Sequence, residues 1–137
     1  MERMVRQANW GDQVFVLKSG EVAEKGHLAC LDTATGQVVN GAAATGIVPL
    51  GIYRETLTGD GAKRVNIKLF DEIIAYWWDN DAGDPADATD LLKNCYVLDS
   101  GTVTMTSTGH SLAGLILAVD PVKGVLVYSP LSALLGA

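Results

Sequence analysis

Two histidines, two cysteines and a scatter of aspartates are the residues of this 137-residue chain that could do chemistry. His27 and His110 lie far apart in sequence, and neither sits in a metal-ligand spacing. Both read as ordinary turn or surface histidines. Gly109-His110-Ser111-Leu112-Ala113 approaches a nucleophile elbow, but Ala113 stands where the second glycine belongs. That elbow also needs a strand-to-helix turn in an α/β sheet, which this sequence does not suggest. Asp12, Asp32, Asp71, Glu72 and Asp99 could pair for acid and base work. Nearly all fall at expected turns, where an aspartate side chain caps backbone amides. Cys30 and Cys95 could form one disulfide or sit as buried thiols near strand ends. Two thiols cannot make a four-cysteine zinc site.

Asp79-Asn80-Asp81-Ala82-Gly83-Asp84 is reminiscent of a calcium loop. Its glycine comes at the fifth position instead of the sixth, and Asp90 stands at the twelfth instead of a glutamate. A solvated acidic loop is the expectation. No phosphate-binding lysine follows Gly36 or Gly41, so no nucleotide loop is expected. Lys63, Arg64 and Lys68 form a modest basic strip, which could touch nucleic acid but could equally pair with an acidic neighbour. Tyr76-Trp77-Trp78 is more informative. Alternation along a strand lets one tryptophan enter a core while its neighbour faces out. An outward tryptophan suits an interface, unless a loop of the same chain covers it.

These residues must be placed by short elements. Val14 to Leu17 reads as a strand, closed by a turn at Lys18-Ser19-Gly20. Residues 28–39 read as a hairpin through the turn Asp32 to Gly36. Ile47 to Glu55 is a strand in which Gly51 marks a bulge or a close backbone approach. Val65, Ile67 and Leu69 alternate with Arg64, Asn66 and Lys68, so that strand has one dry and one wet face. Ile73 to Trp78 is expected to continue the same sheet after an irregular step. Asp87 to Asp90 resembles a helix start, with Leu91 and Leu92 expected to pin a turn or two to the core. Strands are also expected at Tyr96 to Met105 (with a turn inside), at Leu112 to Val119 and at Val125 to Tyr128.

The expected fold is mainly β: a small β-barrel or β-sandwich of short strands with one short helix. Residues 1–13 read as an N-terminal arm, 14–128 as the β-rich domain and 129–137 as a C-terminal tail, loose and apolar from Leu131 to Ala137. No repeat stands out in the sequence. The chain is long enough for one cored domain, and too apolar, at 48%, to be disordered. A net charge of -6 argues against a nucleic-acid partner. No apolar run approaches the roughly 18 residues of a membrane span, and no apolar signal core follows the first residues. Synthesis in a reducing cytoplasm is the expectation. Trp10, Trp77, Trp78 and Tyr128 are the candidate interface residues, because apolar groups on arms and outward faces need something to bury them.

The order of motifs resembles the small capsid decoration, or cement, proteins of tailed phages and prophages. The resemblance rests on Lys18 to Gly26 (KSGEVAEKG), Ala29 to Gly36, Gly51-Ile52, Asn94 to Thr104 (NCYVLDSGTVT), Ala113-Gly114 and Val119 to Val127 (VDPVKGVLV). It spans residues 14–128. The chain departs from the pattern at Asp71 to Asp90, with its double tryptophan, and in its apolar C-terminal tail. The resemblance implies a non-enzymatic homotrimer without cofactors. Such a protein would sit on the outer surface of a virion, made in a bacterial host cytoplasm, and bridge major capsid subunits without touching nucleic acid or membrane. The alternatives are another virion or tail accessory protein, a small carbohydrate- or peptide-binding module with Trp77 or Trp78 as its platform, or an enzyme.

Overall fold

Residues 64–69 carry the rule that builds the whole molecule. Val65 and Ile67 are fully buried and Leu69 nearly so, whereas Arg64 and Asn66 are exposed. Each such side chain moved from water contributes roughly 1.5–3 kcal/mol, so this register is strongly fixed. The computed structural model describes residues 11–71, 73–131 and 134. Twelve strands follow one another: β1 (Asp12–Val16), β2 (Val22–Ala23), β3 (Leu28–Asp32), β4 (Val38–Asn40), β5 (Ile47–Tyr53), β6 (Leu57–Thr58), β7 (Arg64–Leu69), β8 (Tyr76–Asn80), β9 (Asn94–Val97), β10 (Thr102–Thr104), β11 (Leu112–Asp120) and β12 (Gly124–Tyr128). The fold is mainly β, with a five-stranded barrel and, among the described residues, one 3₁₀ turn at Ala88–Asp90.

The N-terminal sheet has the order β1-β7-β5-β3-β4, and the C-terminal strands close a barrel in the order β8-β12-β11-β9-β10. The pair β2-β6 stands apart from both. Counted along the chain, both five-stranded units have the order first, fifth, fourth, second, third. All neighbours are antiparallel except the first and third, which are parallel. In the N-terminal unit that parallel contact is one bridge, Leu17 to Val38, where the Lys18 amide donates to the Val38 carbonyl at 3.0 Å. In the barrel the Asp81 amide donates to the Val103 carbonyl, also at 3.0 Å. One topology is therefore built twice.

The match extends to single residues. Gly51 faces Ala29, and Pro49 faces Cys30, so Leu50 is an extra residue in β5. Gly114 faces Cys95, and Leu112 faces Tyr96, so Ala113 is the extra residue in β11. Counting from these bulges pairs Tyr53 with Ile116, Ile67 with Val127, Val65 with Val125 and Val38 with Val103. All eight are buried. The two units share their packing: Leu28, Cys30, Val39 and Phe70 of the first half lie in the same apolar cluster as Trp78, Val97 and Ile116. The Leu28 amide donates to the Ser100 carbonyl at 2.7 Å, and Ala42 bridges Asp99.

Three expectations need correction. The segment from Ile73 does not continue the first sheet: Ile73 and Ile74 are exposed, and β8 opens the barrel instead. Asp71 turns the chain there by accepting both the Ile73 and Ile74 amides at 2.8 Å. Asp87 does cap a helical turn, in a reciprocal box with Asp90, but Leu91 and Leu92 leave it exposed and pin nothing. The helical turn ends at Leu91, whose ψ is 134°, and Leu92 follows with φ +65°, its amide donating to the Ile116 carbonyl at 2.7 Å. The tail is not wholly loose either. Ser129 is buried, and Leu134 packs in the main cluster, its amide donating to the Pro130 carbonyl at 3.2 Å.

Candidate interaction surface

Of the aspartates that could have formed an acid–base site, Asp32, Asp71 and Asp99 are spent on turns. Asp32 accepts the Ala34 amide, Asp60 those of Ala62 and Lys63, Asp99 that of Gly101, and Asp120 those of Val122 and Lys123. The amide hydrogen bonds hold the carboxyls of Asp60, Asp71 and Asp120 below the ordinary aspartate range. In the acidic loop, Asp81 accepts the Gly83 amide and the Thr104 hydroxyl, both at 2.9 Å, and Asp84 accepts the Thr106 hydroxyl at 2.7 Å. That loop is tied to β10 and its exit by protein donors. Among the described residues, no three histidine, cysteine, aspartate or glutamate side chains gather as a metal set. Asp12 pairs with Arg54 at 3.6 Å on the surface, and Glu72 lies outside the described residues.

The histidines serve turns and do not meet. His27 Nδ1 lies 3.0 Å from Ser100 Oγ, across the junction of the two units, and Nε2 lies 3.3 Å from Glu24. His110 Nδ1 lies 2.9 Å from the Thr108 carbonyl. Ser111 is buried and its hydroxyl donates to the Ala44 carbonyl at 2.7 Å, which makes it a tether. Cys30 and Cys95 are both free thiols, buried in one cluster, and burial pushes each up to about 12. A thiol held that high is inert as a nucleophile.

The candidate interface residues separate. Trp10 lies outside the described residues. Trp78 is only 8% exposed and belongs to the core, where its ring stands 6.2 Å from that of Tyr76. It is not available as an outward anchor. Trp77, its neighbour on β8, is 39% exposed, and Lys123 Nζ lies 5.5 Å from its ring centroid. Tyr128 is half-buried on β12. Trp77 and Tyr128 share one outer face, because Trp77 stands opposite Leu126 and Tyr128 opposite Leu115, and Leu126 and Tyr128 are two residues apart on β12.

That face is larger than the aromatic residues alone suggest. Leu115 and Leu117 of β11 are both exposed, Leu117 at 41%. Leu117 is the extra residue of a second bulge, between Ile116 and Ala118. Leu92, 71% exposed, continues the face past the start of β9. Trp77, Leu126, Tyr128, Leu115, Leu117 and Leu92 thus form an apolar band across β8, β12, β11 and the approach to β9. The leucines escape a sequence reading because residues 112–119 are apolar on both faces, which looks like a strand buried on both sides. The signal was present as a surplus: Ala113 and Ile116 are buried in the core and Leu112 and Val119 pack against it, leaving Leu115 and Leu117 without an inner place.

The barrel is closed, so this surface cannot recruit a partner by adding a strand to it. A partner must dock face-on. No family model, no curated protein and no solved structure matches the chain.

Proposed function

We propose that this chain is a non-enzymatic structural protein that binds the outer surface of a tailed-phage capsid and stabilises contacts between major capsid subunits. The observation that carries the reading is the apolar band from Trp77 to Leu92 on a barrel that has no free edge. Contiguous apolar surface of this kind marks protein contact. The resemblance of residues 14–128 to capsid decoration proteins supplies the identity of the partner. The turn-bound aspartates and inert thiols favour a structural role over a catalytic one. Several copies on a symmetric shell would let modest individual contacts add up.

A carbohydrate-binding reading would use Trp77 as a stacking platform. Lys123 already sits over that ring, which weakens that reading. The test is co-sedimentation of the purified protein with undecorated heads of the phage or prophage that encodes it. Saturable binding, with heads that resist heat-induced rupture better when coated, is the expected result. Heads that pellet without the protein at micromolar concentrations would overturn the reading.

A further inference from the structure

Charge and exposed apolar surface both gather in one half of the chain. Residues 1–71 hold eight basic and eight acidic side chains, and residues 72–137 hold two basic and eight acidic ones. The whole net charge of -6 therefore belongs to the C-terminal half, where Lys93 and Lys123 are the bases. Large apolar side chains left exposed divide the same way. Among the described residues, Val14 and Val22 are those of the N-terminal unit, and the other eight lie from Ile73 to Val122. The shared topology does not require this. By register Asn66 matches Leu126 and Lys68 matches Tyr128, so the N-terminal unit builds the same sheet face with polar residues at those two places.

Register also sets acids beside the apolar band. Leu126 stands between Trp77 on one neighbouring strand and Ala118 on the other. Two residues along each strand, on the same outer face, come Gly124, Asp79 and Asp120. Gly124 has no side chain, so a hollow of about 540 Å³ opens there, lined by Asp79, Asp87 and Asp120. Asp87 accepts the Thr89 hydroxyl and amide, and Asp120 accepts the Val122 and Lys123 amides. Those bonds hold both carboxyls ionised at neutral pH. The base at this end is Lys123, whose ammonium lies 5.5 Å from the Trp77 ring centroid. At the other end, past Leu92, Lys93 pairs with Asp90 at 3.6 Å. The face is apolar at its centre and acidic along one edge.

We propose that the C-terminal barrel is the capsid-facing unit, and that it docks on a protein surface carrying basic side chains beside an apolar patch. This rests on the capsid-binding reading above and adds which unit touches the shell and what chemistry receives it. Trp77, Leu126, Tyr128 and Leu115 cover the apolar patch. A lysine or arginine of the capsid protein enters the hollow between Asp79 and Asp120. The N-terminal unit, with equal numbers of acids and bases, faces away from the shell. The acidic edge repels an anionic partner such as nucleic acid or an acidic membrane. Complementary charge of this kind selects the partner and speeds encounter, and salt screens it.

The test is co-sedimentation with undecorated heads from about 50 to about 500 mM salt, a range over which exposed charges become screened. Wild-type binding is expected to weaken roughly tenfold across it. Three variants of the full chain are compared, each checked for an unchanged thermal midpoint. Asp79→Lys is expected to weaken binding roughly tenfold at low salt and to flatten the salt dependence. Glu21→Lys changes the net charge equally but lies in the N-terminal unit, just before β2, and is expected to bind like wild type. Leu126→Asn takes the residue of the sister position and is expected to weaken binding at every salt concentration. Asp79→Asn and Tyr128→Lys stand in for whichever of the two barrel variants unfolds. Wild-type binding that ignores salt would overturn the inference. So would folded barrel variants that bind like wild type, or a Glu21→Lys that loses as much as Asp79→Lys. Those results leave the capsid-binding reading standing. Heads that bind no wild-type protein at any salt concentration overturn that reading, and this inference with it.

Discussion

Gly51 and Gly114 occupy one place in two copies of the same topology. A Cβ on Gly51 would collide with the Lys68 carbonyl oxygen, and a Cβ on Gly114 with the Tyr128 carbonyl oxygen. Lys68 and Tyr128 are themselves matched by register. Each glycine follows the extra residue of a bulge and lets the neighbouring strand approach. The bulge and its glycine are what the two units hold most strictly in common.

Gly51→Ala and Gly114→Ala are therefore each expected to destabilise the protein by roughly 1–3 kcal/mol, the cost of overpacking against backbone. Gly114→Ala should be the worse, because Gly114 also has φ +150°, a conformation that side chains rarely adopt. Urea midpoints check both. A midpoint within error of wild type for either variant contradicts the account of the bulge.

The bulge carbonyls are satisfied in two ways. The Phe70 amide donates to the Leu50 carbonyl at 2.9 Å. The matching residue in the barrel is Pro130, which has no amide hydrogen, and there the buried Ser129 hydroxyl donates to the Ala113 carbonyl at 2.7 Å. Ser129→Ala leaves that carbonyl without its donor and should cost about 1–3 kcal/mol. Adding Pro130→Ala supplies an amide and should recover part of the loss. A double variant no more stable than the single one contradicts this equivalence.

Acid should weaken the fold through its turns. Amide hydrogen bonds lower the carboxyls of Asp60, Asp71, Asp81 and Asp120, and the Thr89 hydroxyl and amide do so for Asp87. A carboxyl that ionises more readily in the folded chain than in the unfolded one stabilises fully above its ordinary value of 3.8. That contribution is lost as pH falls from there through the lower folded value. Thermal midpoints should be flat from neutral pH to about 5 and drop below about 4. Asp120→Asn keeps an acceptor for Val122 and Lys123 but cannot ionise, so its profile should be shallower. A midpoint that rises on acidification contradicts the assignment.

The thiols should be silent in the folded chain. Cys30 and Cys95 are fully buried and pushed up to about 12. Maleimide at pH 8 is expected to leave the native protein unmodified and to label both sites in denaturant, as read by intact mass. Rapid native labelling, or a mass two hydrogens short before reduction, would contradict two buried free thiols.

Much of the fold was legible because short-range physics writes it into the chain. The alternation at residues 64–69, the hairpin of residues 28–39 and the turn aspartates are set by neighbours a few residues away. Gly51 and the alternation of Trp77 with Trp78 were legible for the same reason. The duplication was not, because the matched positions hold different side chains: Tyr53 for Ile116, Phe15 for Trp78, Leu69 for Ser129. Register is kept there, but neither the identity nor the size of the side chain. The exposed Leu91 and Leu92 were misread because two leucines after a cap look like a helix's inner face. Only the long-range bond from Leu92 to Ile116 turns them outward.

The most direct test of the account is a cryo-electron density map of heads incubated with the protein. The account predicts density on the outer shell, with each copy's Trp77, Leu117 and Tyr128 buried against the major capsid protein. A bare shell would contradict the capsid-binding reading. Bound copies whose Trp77 band faces open solvent would contradict the assignment of that surface as an interface.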